Sequence, residues 1–269
     1  MSSTPSVAFC FSGQLRDLNQ TIAQWRDLQE KYEAKVFGSF WEPSTRSEEA
    51  QAELFQSLSP SIVEFEPFSK FKPFIDSFYA EMSVPTTERI NFGLAPGEGS
   101  DWIYGGSILS MWYRVWRAHL ISQNSNSDLW VRLRTDTRLE NLNLESNFSL
   151  NLPWGWRMNS HWSDCGGPID MLAWGGSEVM TFYSSTFLYL GRLLSQGHYF
   201  FPAEHVLRAH LAARDVPLKF WPVEIFLARD PENSFNQAWG QSVLCDNSLE
   251  WSACHLDSNF SFFKRILNG

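Results

Sequence analysis

In Val7-Ala-Phe-Cys-Phe-Ser-Gly-Gln-Leu-Arg16, five apolar residues in a row stop abruptly at Ser12-Gly13. A continuous apolar run of this length describes a strand buried on both faces, and the Ser-Gly pair turns the chain sharply at its end. A helix follows, because Ile22, Trp25, Leu28 and Tyr32 recur at helical spacing between about Asn19 and Tyr32. Lys35 to Trp41 then reads as a second strand. The chain therefore opens with a βαβ unit, the building block of parallel sheets covered by helices.

Working outward, Glu48 to Leu58 suits a helix and Ile62 to Phe65 a short strand, while Pro67 to Pro96 is aromatic and proline-interrupted, which predicts a long loop with short helices. After Gly105-Gly106, Ile108, Leu109, Trp112, Val115, Trp116, His119 and Leu120 mark a strongly amphipathic helix that also carries Arg114 and Arg117. Asp128 to Leu133 reads as the central strand and Asn141 to Asn151 as a surface loop. Glu178 to Leu194 has helical periodicity, Glu204 to Ala213 is a helix behind Pro202, and Leu218 to Val223 is a late strand. No internal repeat is visible. The expectation is one α/β domain over residues 1 to 269, with a mostly parallel central sheet flanked by helices and an irregular segment from about residue 224.

Composition narrows the function classes. With 269 residues, 43% of them hydrophobic, the chain can bury one large core. A formal net charge of −9 disfavours nucleic acid and anionic membranes as partners, so any polyanion site has to be local. No apolar run approaches the roughly 20 residues needed to span a bilayer, and Met1-Ser-Ser-Thr-Pro-Ser6 has no secretion-signal pattern, so a cytoplasmic setting without a transmembrane segment is expected. Cys10, Cys165, Cys245 and Cys254 form no Cys-x-x-Cys pair, which points to neither a zinc site nor a redox motif; a Cys245-Cys254 bridge stays open. The 13 tryptophans and 22 phenylalanines exceed what a core usually needs, so some are expected to line a groove that stacks on sugars or bases.

Two places carry charge where strands end. The turn Ser12, Gly13, Gln14, Leu15, Arg16 sits between strand and helix, where amides and Arg16 can cradle a phosphate. It lacks the Gly-x-Gly-x-x-Gly and Gly-Lys-Ser/Thr spacings, which weighs against a dehydrogenase or kinase. The second is Leu129-Trp-Val-Arg-Leu-Arg-Thr-Asp-Thr-Arg-Leu139. Strand alternation puts Arg132, Arg134 and Asp136 on one side and Leu133 opposite. Either an Arg-Asp ion pair closes the strand end, or Asp136 holds a divalent cation or a ribosyl hydroxyl while an arginine grips diphosphate.

Taken in order, Ser12-Gly-Gln-Leu-Arg16, Met111-Trp-Tyr-Arg-Val-Trp-Arg-Ala118, Val131-Arg-Leu-Arg-Thr-Asp136, Asp170-Met-Leu-Ala-Trp-Gly175 and Pro202-Ala-Glu-His205 resemble GT-A-type glycosyltransferases of microbial and large-virus polysaccharide pathways, over about residues 7 to 211. The resemblance implies a single GT-A-like (Rossmann-like) domain that moves a sugar from a nucleoside-diphosphate-sugar donor to a glycan or small-molecule acceptor. It assigns Ser12, Gly13, Gln14, Arg16, Arg132, Arg134 and Asp136 to the donor. The family's Asp-x-Asp metal element falls on Asp136-Thr-Arg138, so Asp136 is the candidate ligand for Mn²⁺ or Mg²⁺, and Arg138 replaces the second acid with a cation able to neutralise a departing diphosphate. Asp170, after the Gly166-Gly167-Pro168 turn, is the first candidate for the base that deprotonates the acceptor, with Glu204 and Asp164 as the other carboxylates. Trp162 and Trp174 are expected in the acceptor wall; His161 is a weaker candidate than the carboxylates, and His205 and His210 lack the spacing of a metal-binding His-Glu-x-x-His helix. The rival readings are a glycoside hydrolase pairing Asp164 with Asp170 or Glu204, and a non-catalytic carbohydrate-binding protein.

Overall fold

The computed structural model describes residues 5–81, 105–144, 149–155, 167–168, 170–195, 203–214, 218–221, 223–228 and 230–234. The chain begins β1 (Val7–Gly13), α1 (Leu18–Tyr32), β2 (Lys35–Trp41), α2 (Arg46–Gln56), β3 (Ile62–Glu66), α3 (Phe68–Glu81), α4 (Gly105–Ser122) and β4 (Leu129–Leu133). It continues through β5 (Thr137–Glu140), β6 (Leu150–Gly155), β7 (Gly167–Pro168), β8 (Ala173–Gly175), α5 (Ser177–Ser184), α6 (Thr186–Ser195), α7 (Ala203–Ala212), β9 (Leu218–Trp221), β10 (Glu224–Leu227) and β11 (Asp230–Ser234).

Among the described residues the main sheet runs β3-β2-β1-β4-β8-β6-β7, with β9 joined to β6. The half from β3 to β4 is parallel throughout, as the opening βαβ pattern predicts. Beyond β4 the direction reverses, since β8 lies antiparallel with Ala173 opposite Arg132. A second antiparallel sheet, β11-β10-β5, forms alongside.

The apolar run of β1 is continuous because helices cover both faces of the sheet. Val7, Phe9 and Phe11 pack with Leu129, Val131 and Leu133 against Trp25 of α1 and Phe55 of α2. The alternate residues Ala8, Cys10 and Trp130 pack against Leu109, Trp112 and Val115 of α4 and Tyr183 of α5. In β2, Gly38 is needed for close packing: a Cβ there would come within 2.8 Å of both Phe55 and Val63. The next helix, α2, starts on a capping box in which Thr45 and Glu48 satisfy each other's backbone N–H groups.

Three expectations change. Phe68–Glu81 is one continuous helix of 14 residues with Pro73 inside it, where a long loop with short helices was expected; the rest of that stretch, to Pro96, lies outside the described residues. Phe68, Phe71, Phe74 and Phe78 form a helical stripe whose packing on Trp41, Tyr113 and Phe187 outweighs the proline penalty. Glu178 to Leu194 is two helices, α5 and α6, meeting at Ser185, whose hydroxyl donates to the Phe182 carbonyl at 2.7 Å. The segment from 224 is not irregular at its start, because β10 pairs with β5 (Ile225 opposite Leu139) and β11 pairs with β10. Among the described residues no helix is long and apolar enough to cross a membrane.

Candidate active site at the carboxyl ends of β1 and β4

From β1 the chain winds outward through β2 to β3, then returns to place β4 on the other side of β1. Two parallel strands whose connections leave in opposite directions open a crevice at their carboxyl ends, the usual ligand position in an open α/β sheet. A cleft of about 740 Å³ lies there. Ser12, Gly13, Gln14 and Arg16 line it from β1 and its turn, Arg132, Arg134 and Asp136 from the end of β4, Trp41 and Glu42 from the end of β2, and Met111 from α4. All seven residues assigned to the donor from sequence therefore meet in one cleft.

Asp136 organises the cationic wall. Its carboxylate accepts from Arg16 Nε at 2.7 Å and, as a fork, from Arg134 Nε and Nη2 at 2.8 Å each. The turn beneath is tied down by Thr135, whose hydroxyl donates to the Gln14 and Arg16 carbonyls and whose own carbonyl accepts from Thr21 and Trp25. Burial works to raise the Asp136 pKa, but the Arg134 charge and hydrogen bonds, followed by those of Arg16, overcome it and hold the group lowered to about 2.

This arrangement does not fit the metal role expected for Asp136. A hard divalent cation takes about six oxygen ligands, whereas both oxygens of this one carboxylate already face guanidinium groups. Among the described residues no three His, Cys, Asp or Glu side chains gather as a metal site. Asp136 is the counter-ion of Arg16 and Arg134, the ion-pair alternative of the two that the sequence left open. Arg138 also departs from expectation: it is exposed on β5 and does not line the cleft, because β5 turns its Thr137 and Leu139 inward instead.

Ser12 and Arg132 form the floor. Arg132 is 2% exposed and donates Nη1 to the Met171 carbonyl at 3.2 Å, but its Nε has no hydrogen-bond partner. Burial lowers its pKa, and the nearby Tyr183, Asp170 and Asp136 partly offset that; a guanidinium keeps its charge throughout. Ser12 is 3% exposed, and its Oγ likewise has no partner. Gly13 follows at φ 111°, a conformation that L side chains rarely adopt, so the turn requires glycine for its backbone rather than for space.

The acceptor-side expectations fare differently. Asp170 is buried in the turn before β8, its carbonyl accepting from Tyr183 Oη at 3.2 Å, and it does not line the cleft. Trp174 is 0% exposed at the centre of β8, packed against Trp221, so it is a core ring and offers no surface to an acceptor. Glu204 lies in the first turn of α7, its side chain outside the described residues, as are Asp164, Trp162, His161 and the His205 side chain. His210 is buried against Phe182, with Nε2 2.9 Å from the Phe182 carbonyl.

Sequence reading missed Trp41 and Glu42 as site residues. Their signal was positional, since parallel strands end on the same side of the sheet and β2 ends in Trp41. Behind that ring, Arg114 is fully buried, its guanidinium 3.7 Å from the Trp41 ring centroid and bonded to Glu66 at 2.7 Å and Ser39 at 3.2 Å. Arg117 grips Glu64 with two bonds of 2.6 and 3.0 Å. The helical arginine pair thus braces the cleft wall from behind. No protein-family model matches the chain and no curated protein is significantly similar to it, so the chemistry of the cleft is the guide to function.

Proposed function

We propose that the protein is a glycosyltransferase that seats a nucleoside-diphosphate-sugar donor in the β1-β4 cleft and passes the sugar to a glycan or small-molecule acceptor. The observation that carries this reading is the convergence of Arg16, Arg132 and Arg134 on one crevice of a chain whose net charge is −9. Three guanidinium groups in one crevice, which the carboxylates of Asp136, Glu42 and Glu48 also line, suit an anionic group held at one point by directed, charge-assisted hydrogen bonds. In glycosyl transfer the leaving diphosphate gains charge as the anomeric bond breaks, and fixed guanidinium groups in a partly buried cleft stabilise that charge. Trp41 and Phe68 supply aromatic wall for a base or sugar.

The acceptor base is reassigned. Of the carboxylates lining the cleft among the described residues, Asp136 is held by arginines and Glu48 by the Ser44 and Thr45 capping groups. Glu42 remains, exposed at the rim and anchored through its backbone N–H to the Glu66 carbonyl at 2.9 Å. We assign it the role of taking the acceptor hydroxyl proton.

Thermal shift and product release across UDP-, GDP-, CMP- and dTDP-linked sugars test the reading. One nucleotide family is expected to raise the melting temperature and to release free nucleotide when acceptor is added. Arg134→Ala is expected to weaken donor binding about tenfold, the loss of a charge-assisted pair. Indifference to every nucleotide, with stabilisation by free oligosaccharide alone, would identify a carbohydrate-binding protein instead.

A further inference from the structure

We infer that this cleft holds the phosphate groups of its ligand with arginine and serine side chains and without a divalent cation. The inference rests on the proposed donor-binding reading and goes beyond it to the chemistry of capture. Two observations meet in it. The carboxylate that a metal would need is occupied on both oxygens by Arg16 and Arg134, at 2.7 and 2.8 Å. A cation drawn to Asp136 would have to displace those guanidinium groups and then sit beside them.

The second observation is independent of Asp136. Ser12 and Arg132 line the cleft, and each carries a buried polar atom, Oγ and Nε, that has no partner. Such atoms are rare in folded proteins because each forfeits its hydration. β1 and β4 are parallel neighbours in the register Cys10 opposite Arg132, so Ser12 lies one side-chain step further along on the same face. The two residues therefore stand on one face of neighbouring strands, at the floor of the cleft. Arg132 Nε can only donate, so what completes this floor is an acceptor, and the fixed positive charge selects an anionic oxygen over a cation. A phosphoryl oxygen on this floor, with a neighbouring phosphoryl group against the Arg16-Arg134 wall, accounts for both features.

Calorimetry on the full chain with inorganic pyrophosphate tests this, in EDTA and again with Mn²⁺ or Mg²⁺. Binding in EDTA is expected, with no tightening when metal is supplied. Ser12→Ala is expected to weaken it about tenfold while the melting temperature holds or rises, since the change removes an unmet buried hydroxyl. A purely structural serine would leave affinity unchanged, which would overturn the inference. Arg132→Met, which keeps the bulk of the side chain, gives the same loss of affinity. Binding that appears only with metal, or no binding under either condition, overturns the inference. Binding in EDTA without turnover of any nucleotide sugar would sustain it and remove the transferase reading. Metal-dependent binding with turnover would do the reverse.

Discussion

Asp136 shows how one buried carboxylate can organise the arginines of a cleft. With its charge in place, two guanidinium groups are oriented and tolerated at the edge of a buried cleft; without it they repel each other. Asp136→Asn is therefore expected to destabilise the fold by about 2 kcal/mol at neutral pH, the loss of charge-assisted hydrogen bonds to two arginines that keep access to solvent, as read by urea denaturation. The pH dependence has a definite sign. The folded-state pKa lies below the unfolded value, so the stabilisation is complete above the ordinary value of 3.8 and is lost as pH falls through about 2. Of the residues in this cleft, Ser12, Arg16, Arg132, Arg134 and Asp136 were legible in the sequence, because charge following a buried strand marks its end. Their roles were not. Whether Asp136 binds a metal or an arginine depends on Arg16, 120 positions away in the chain.

At the scale of elements, the face of the sheet opposite α1 and α2 is closed by helices that carry buried histidines. His119 of α4 is 2% exposed, with Nε2 2.9 Å from Thr181 Oγ1 of α5 and Nδ1 without a partner. His210 of α7 packs on Phe182 of α5 and Tyr189 of α6. Burial lowers both pKa values from 6.5 to about 4. Between those values the unfolded chain binds protons that the folded one refuses, so stability is full above 6.5 and declines as pH falls towards 4. From pH 7 to pH 5 the loss is expected to be about 2 kcal/mol per histidine. His119→Gln is expected to flatten the curve of unfolding free energy against pH in that window; an unchanged slope would mean that His119 does not contribute. Elements also show why α3 escaped the sequence. Pro73 erases the local helical signal, and what restores the helix is an aromatic cluster completed by Tyr113 and Phe187, both distant in the chain.

Across the whole molecule, the strongest structure is the parallel half of the sheet, where β1 is paired on both sides and covered on both faces. Amide hydrogen exchange is expected to be slowest in Val7 to Phe11 and Leu129 to Leu133, and faster in α3 and β11 at the periphery. Fast exchange in β1 would contradict this order. The cleft thus opens at the ends of strands that are paired and covered at the centre of the sheet, which on the proposed reading holds its arginines in place before the leaving group gains charge.

The opening strand, helix and strand, the parallel half of the sheet and the position of the charged strand ends were written in the chain itself. Periodicity and burial of a continuous apolar run are local properties, expressed within ten or fifteen residues. The antiparallel turn of the sheet at β8 and the burial of Trp174 and Asp170 away from the cleft were decided only when distant segments packed. So were the entry of Trp41 and Glu42 into the cleft and the capture of Asp136 by two arginines. Each depends on which side chain occupies the space opposite, and a linear pattern carries no information about that neighbour until the sheet has brought it there.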